Sequence, residues 1–210
     1  MFICIFQHAD RRVCGLNERM SAQSNARFLH ETPAVPSRTA LSAAFEGFWR
    51  ALPKEGLVPN RSAFRPERAA RFLRHIVLCE ARLDGGPAIR MRLVGGDFEA
   101  QIQRSLKGHD YLQYLPEAYR QAAIESAREV VLRPCGLWQI TPLHYERGYA
   151  QHVELTLFPL GPGPDGVNLL LVLTQSLGGL IMPAPTGDKA MAADTAVTHR
   201  YIDLGAGVPA

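Results

Sequence analysis

Residues 76–98 read IVLCEARLDGGPAIRMRLVGGDF, and the rest of the chain is placed against them. The first eight are mostly apolar, with charge entering near the end, as in a strand. Asp84-Gly85-Gly86 is a strong hairpin-turn signal. Ile89, Met91 and Leu93 then alternate with Arg90 and Arg92. That alternation predicts a half-buried strand with its apolar face inward. Gly95-Gly96 breaks the strand, and Phe98 and Ile102 begin a short helix. The product is one hairpin of an antiparallel sheet.

Upstream, Leu41, Phe45, Phe48, Trp49 and Leu52 share one face of a helix that Pro53 and Gly56 end. Ser37 or Ser42 is the expected cap. A second helix is expected from Pro66, with Ala69, Phe72, Leu73 and Ile76 on one face. Five arginines (Arg61, Arg65, Arg68, Arg71, Arg74) fall in fourteen residues here, a pattern of either an anion contact or a solvated face.

Downstream, Gly108-His109-Asp110 is a turn. Pro116 opens a long helix with Glu117 in its first turn, and Arg133-Pro134 stops it. Three strands follow. Residues 136–143 carry Trp138 and Ile140. Residues 149–158 alternate Val153, Leu155 and Leu157 against His152, Glu154 and Thr156. Residues 167–174 are apolar almost throughout, which predicts a mid-sheet strand covered on both faces. The order is that of an α+β domain with a five-stranded antiparallel sheet. Residues 1–39 read as a poorly ordered extension, with Met20 an alternative start. Residues 40–178 form the domain and 179–210 a tail, in which Tyr201 to Gly205 is locally apolar and able to dock.

The chain has 210 residues, 47% hydrophobic and 20% charged, with a formal net charge of +3. That supports one domain with a real core and is far below the charge density of a dedicated nucleic-acid binder. The four cysteines include no C-x-x-C pair, which fits free thiols in a reducing compartment and hence a cytoplasmic protein. No apolar run has membrane-spanning length.

Gly95-Gly96-Asp97-Phe98-Glu99 is similar to the Gly-Gly-Asp-Glu-Phe signature of diguanylate cyclases with its last two residues exchanged. The upstream strand offers only Glu80 as a second carboxylate, so a strand-to-helix turn is the reading adopted, with Asp97 as a helix-start hydrogen-bonding group. The seven histidines show no zinc spacing, and Ser176 lacks a nucleophile elbow. No catalytic residue and no metal ligand is assigned, and the residues name no cofactor.

Several segments together resemble a family of stand-alone bacterial PAS-type proteins. They are Phe48-Trp49-Arg50, the run PERAARFL from Pro66 to Leu73, Arg92-Leu93-Val94-Gly95, Leu106-Lys107-Gly108 and Pro159-Leu160. The resemblance covers residues 41–177. It implies a PAS-like fold, a sensory or regulatory role, and no catalytic residues. Where the family has Gly-Thr after its second strand, this chain has Gly95-Gly96-Asp97. In such a fold the helices cover one face of the sheet and the N-terminal helix covers the other, in cis or across a homodimer. The helix-facing side is expected to present Met91, Leu93, Phe98, Tyr114, Trp138 and Leu155. Those side chains suit a small apolar ligand or a packed core. The expectation is a non-catalytic module that binds a small molecule or a protein partner, with a dimerisation or scaffold domain as the alternative.

Overall fold

The computed structural model describes residues 37–162, 166–181, 185–194 and 196–209. The expected N-terminal extension lies outside these but for its last three residues. The described residues form three α-helices and seven strands: α1 (Ala40–Arg50), β1 (Ile76–Arg82), β2 (Ala88–Val94), α2 (Gly96–Ile102), α3 (Glu117–Leu132), β3 (Cys135–Tyr145), β4 (Tyr149–Leu160), β5 (Asn168–Ile181), β6 (Met191–Ala193) and β7 (Thr198–Asp203). None of the described helices is long and apolar enough to cross a membrane.

These seven strands join one antiparallel sheet in the order β2-β1-β5-β4-β3-β6, with β7 also on β3. The apolar strand β5 is central, between β1 and β4. Five strands were expected, and the described residues form seven. The stretch read as a tail supplies the other two. Strand β7 pairs with residues 135–140 of β3 and β6 with residues 143–145, so the two lie end to end along one edge. Between them is Pro142, which has no N–H to donate and only accepts, from Asp194 at 3.0 Å. Short strands on an otherwise open edge are a common way to blunt it. The sequence hides them because each is too short to show a period.

Two apolar layers sandwich the sheet. On one face α2, α3 and the 3₁₀ turn Tyr111–Tyr114 bury Phe98, Ile102, Tyr114, Ala123 and Val130 against Ile89, Met91, Leu155, Leu157 and Leu170. On the other, α1 packs Phe45, Trp49 and Leu52 against Phe158, Leu169 and Leu171, with Leu41 and Phe48 partly buried beside them. Trp49 stacks on Phe158 at 5.1 Å and donates its indole N–H to the Pro159 carbonyl at 2.9 Å. This cover is provided in cis.

Two local expectations change. The α1 cap is Thr39, whose hydroxyl accepts from Ser42 N–H, rather than Ser37 or Ser42. The second helix is instead two 3₁₀ turns, Pro66–Ala69 and Leu73–His75, which still bury Ala69 and Phe72. The alternating polar residues of β4 are enclosed. Glu154 and Thr156 are buried beneath α1, where Ser42 and Thr156 hydroxyls meet at 2.6 Å.

Candidate functional site

A cleft of about 400 Å³ opens where β5 outruns β1. The β1 register ends at Ile76 opposite Leu173, so Thr174, Gln175 and Ser176 have no β1 neighbour. The chain before β1 turns away through Leu73–His75, and α2 closes over the gap. His75, Asp97, Phe98, Gln101, Val153 and these three β5 residues line the space. Its volume lies within the range of small-molecule pockets.

Local sequence builds each wall. Gly95 is obligatory because a Cβ there would lie 2.4 Å from the Arg74 carbonyl oxygen and 2.6 Å from that of Leu73. Gly96 meets no such contact; it is simply the first residue of α2. Asp97 sits in the first turn of α2, favourable for the helix dipole. It accepts from Arg74 at 2.8 Å and lies 3.5 Å from His75 Nδ1. Glu99 accepts from Ser105 at 2.9 Å. Of the cyclase-like acids, Asp97 thus pins the start of α2, as a strand-to-helix turn requires, while Glu99 ties the helix to the residues just past its end.

A chain of polar groups behind the cleft links two of its lining residues, Ser176 and Gln101. Ser176 donates to Gln151 Oε1 at 2.8 Å, and Gln151 Nε2 approaches the Tyr145 hydroxyl at 3.4 Å. Tyr145 in turn donates to Gln101 Oε1 at 3.1 Å, and Tyr149 donates to the Gln101 carbonyl at 2.8 Å. The two tyrosines face each other across the β3–β4 turn with rings stacked at 4.6 Å. Burial pushes the Tyr145 phenol up to about 12, so it remains a donor at physiological pH. The chain begins and ends on residues of the cleft. With its oxygen occupied, the Gln101 amide has its NH₂ available, having no partner among the described residues.

Thr174 donates to the His75 carbonyl at 3.0 Å and fixes the rim. Gln175 reaches the other face of the sheet, where its Oε1 lies 3.1 Å from the Thr39 hydroxyl at the α1 cap. The cleft thus wraps the bare β5 edge and touches both layers.

Of the six side chains expected on the helix side, Met91, Phe98, Tyr114 and Leu155 are brought together there, each 4% exposed or less, in one continuous core. Leu93 and Trp138 are not with them. A bulge in β2 pairs Cys79 with Met91 but Leu78 with Leu93. Arg92 is the extra residue; it reverses the side-chain parity and turns Leu93 toward the α1 layer. Trp138 faces the α1 side too, donating to Glu154 at 2.6 Å beneath Arg200. Of the expected six only Phe98 lines the cleft. The signal for the others was the change from apolar to Thr-Gln-Ser at the end of β5.

An antiparallel sheet ordered 2-1-5-4-3, with its connecting helices between the second and third strands, defines a PAS-type α+β fold. Residues 37–174 match the PAS domain family, and the chain belongs to it. Among solved structures it is similar to a fungal LOV domain photoreceptor, at 17% identity and a TM-score of 0.36, over 49% of this chain and 74% of that one. No curated protein matches it.

Proposed function

We propose that the chain is a non-catalytic sensory module whose input is a small polar molecule held in the cleft at the bare end of β5. One observation carries this reading: Ser176 and Gln101, the two ends of a hydrogen-bonded chain through Gln151 and Tyr145, both line open space, and the Gln101 NH₂ has no partner among the described residues. Donors and acceptors that converge on such a space are what orient a ligand. A purely apolar ligand fits less well, since the apolar residues expected to hold it fill one another's space.

The non-catalytic reading rests on how the polar groups are engaged. Ser176 donates to an amide and not to a base, so nothing activates it as a nucleophile. Asp97 is occupied by Arg74. Output would pass through α1. Gln175 belongs to the cleft and also touches the cap of α1, so a ligand that displaces Gln175 bears on how that helix is held. The reading of a cytoplasmic protein is supported by the free, buried thiols of Cys79 and Cys135.

The alternative is a scaffold with a filled core, which the tight packing of Met91, Phe98, Tyr114 and Leu155 favours. The homodimer expected from the apolar face of α1 loses its main argument, because α1 covers its own sheet. Native mass spectrometry of the purified protein, with a visible absorption spectrum, separates the readings. A bound small molecule supports the sensor. A bare polypeptide supports the scaffold.

A further inference from the structure

A second groove, of about 540 Å³, shares no residue with the cleft. Its walls are the segment following α1, with Lys54 and Glu55, and the stretch from Asn60 through Ser62 to Arg65 and Arg68. Both walls are anchored before any ligand arrives. Leu52, Phe64 and Ala69 are buried in the α1 layer beneath them. Asn60 packs so closely on Gly161 that a Cβ there would lie 3.2 Å from its Cα.

The charge in this groove is not balanced. Three cations face one acid, Glu55. Arg38 and Arg50 both pair with Glu46, and Arg74 with Asp97. The guanidinium groups of Arg65 and Arg68 have no hydrogen bond or ion pair among the described residues. Lys54 makes no ion pair among them; its ammonium donates to the Arg50 carbonyl and lies over the Trp49 ring at 4.9 Å. Its pKa is lowered, first by burial and then by the neighbouring Arg50 charge. Two guanidinium groups, an ammonium and the neutral hydrogen-bonding groups of Asn60 and Ser62 are the complement of a phosphoryl group.

We propose that this groove is a second binding site, for a phosphate-bearing small molecule of about nucleotide size. Size follows from volume, since the groove falls within the range for organic ligands. The five-arginine stretch then divides by role. Arg61 lies over Phe64, Arg71 over Phe72, and Arg74 holds Asp97, while Arg65 and Arg68 take the anion.

The test is calorimetric titration of the full chain with adenosine 5′-diphosphate and, separately, with sodium pyrophosphate, at constant ionic strength. Binding should weaken about tenfold in Arg65→Gln and again by about tenfold in Arg65→Gln/Arg68→Gln, the usual scale for a charge-assisted hydrogen bond. Arg147→Gln, an exposed arginine on the β3–β4 turn, should bind as the parent does. Tighter binding of the nucleotide than of pyrophosphate assigns an organic phosphate as occupant; equal binding assigns a free polyphosphate, and the anion site stands in both cases. Absence of heat with both probes overturns the proposal. So does binding that survives the double substitution, or that falls equally in Arg147→Gln. Circular-dichroism melts of each variant separate lost binding from lost fold.

Discussion

Thr39 and Glu154 lie far apart in sequence and meet at the start of α1. The Thr39 backbone N–H donates to the Glu154 carboxylate at 3.0 Å and its hydroxyl donates to the other carboxylate oxygen, while that hydroxyl also accepts from Ser42 N–H. Trp138 supplies a third donor. A carboxylate only 1% exposed is thus satisfied without a cation, and one residue caps the helix and locks it to β4.

Thr39→Ala removes the cap and one donor to a buried carboxylate. It should lower stability by about 1–3 kcal/mol in urea unfolding, and Thr39→Ser should restore most of the loss. Equal stability of the alanine variant and the parent would mean that α1 is held by apolar packing alone.

Trp49 is buried against Phe158 within the same chain. Trp49→Ala should therefore cost about 3–5 kcal/mol while leaving oligomeric state, read by light scattering, unchanged. A change of oligomeric state with little loss of stability would place the partner of Trp49 in a second copy.

Gly95→Ala forces a methyl group against two carbonyl oxygens, and backbone cannot step aside as a flexible side chain does. The expected cost is on the order of 1–3 kcal/mol, the scale of an overpacked site. Gly96→Ala, with open space around it, should be near neutral. Similar melting temperatures for the two variants would contradict the close approach of α2 to Leu73–His75.

How much of this was legible in the sequence depends on whether local pattern or long-range geometry decides the point. The hairpin of β1 and β2, the apolar face of α1 and the centrality of β5 are written in periodicity, and they are present. The direction of Leu93 is not, because a single-residue bulge at Arg92 leaves the alternation of residue types intact while reversing the faces. Nor is the direction of Trp138, which turns to the α1 side to reach Glu154, a carboxylate whose other donors come from the cap of α1. The cleft arises where β5 is longer than β1, and strand lengths relative to one another become visible only once the sheet is assembled.

Burial lowers the pKa of His152 and His199 from the usual 6.5. The unfolded chain therefore takes up protons at a higher pH than the folded one. Their contribution to stability is complete above 6.5 and is lost as pH falls from there toward the folded-state values. Unfolding free energy should decline from pH 7 to pH 5 more steeply in the parent than in His152→Gln/His199→Gln. Parallel profiles would show that neither imidazole is held neutral by the fold.

The central claim is that the end of β5 encloses a ligand site. Native mass spectrometry of the parent beside Ser176→Phe, whose ring should fill the cleft, tests it most directly. The account predicts a bound small molecule on the parent and none on the variant, with circular-dichroism spectra that coincide. A parent whose native mass equals that of the bare polypeptide, or a ligand retained equally by Ser176→Phe, would contradict it.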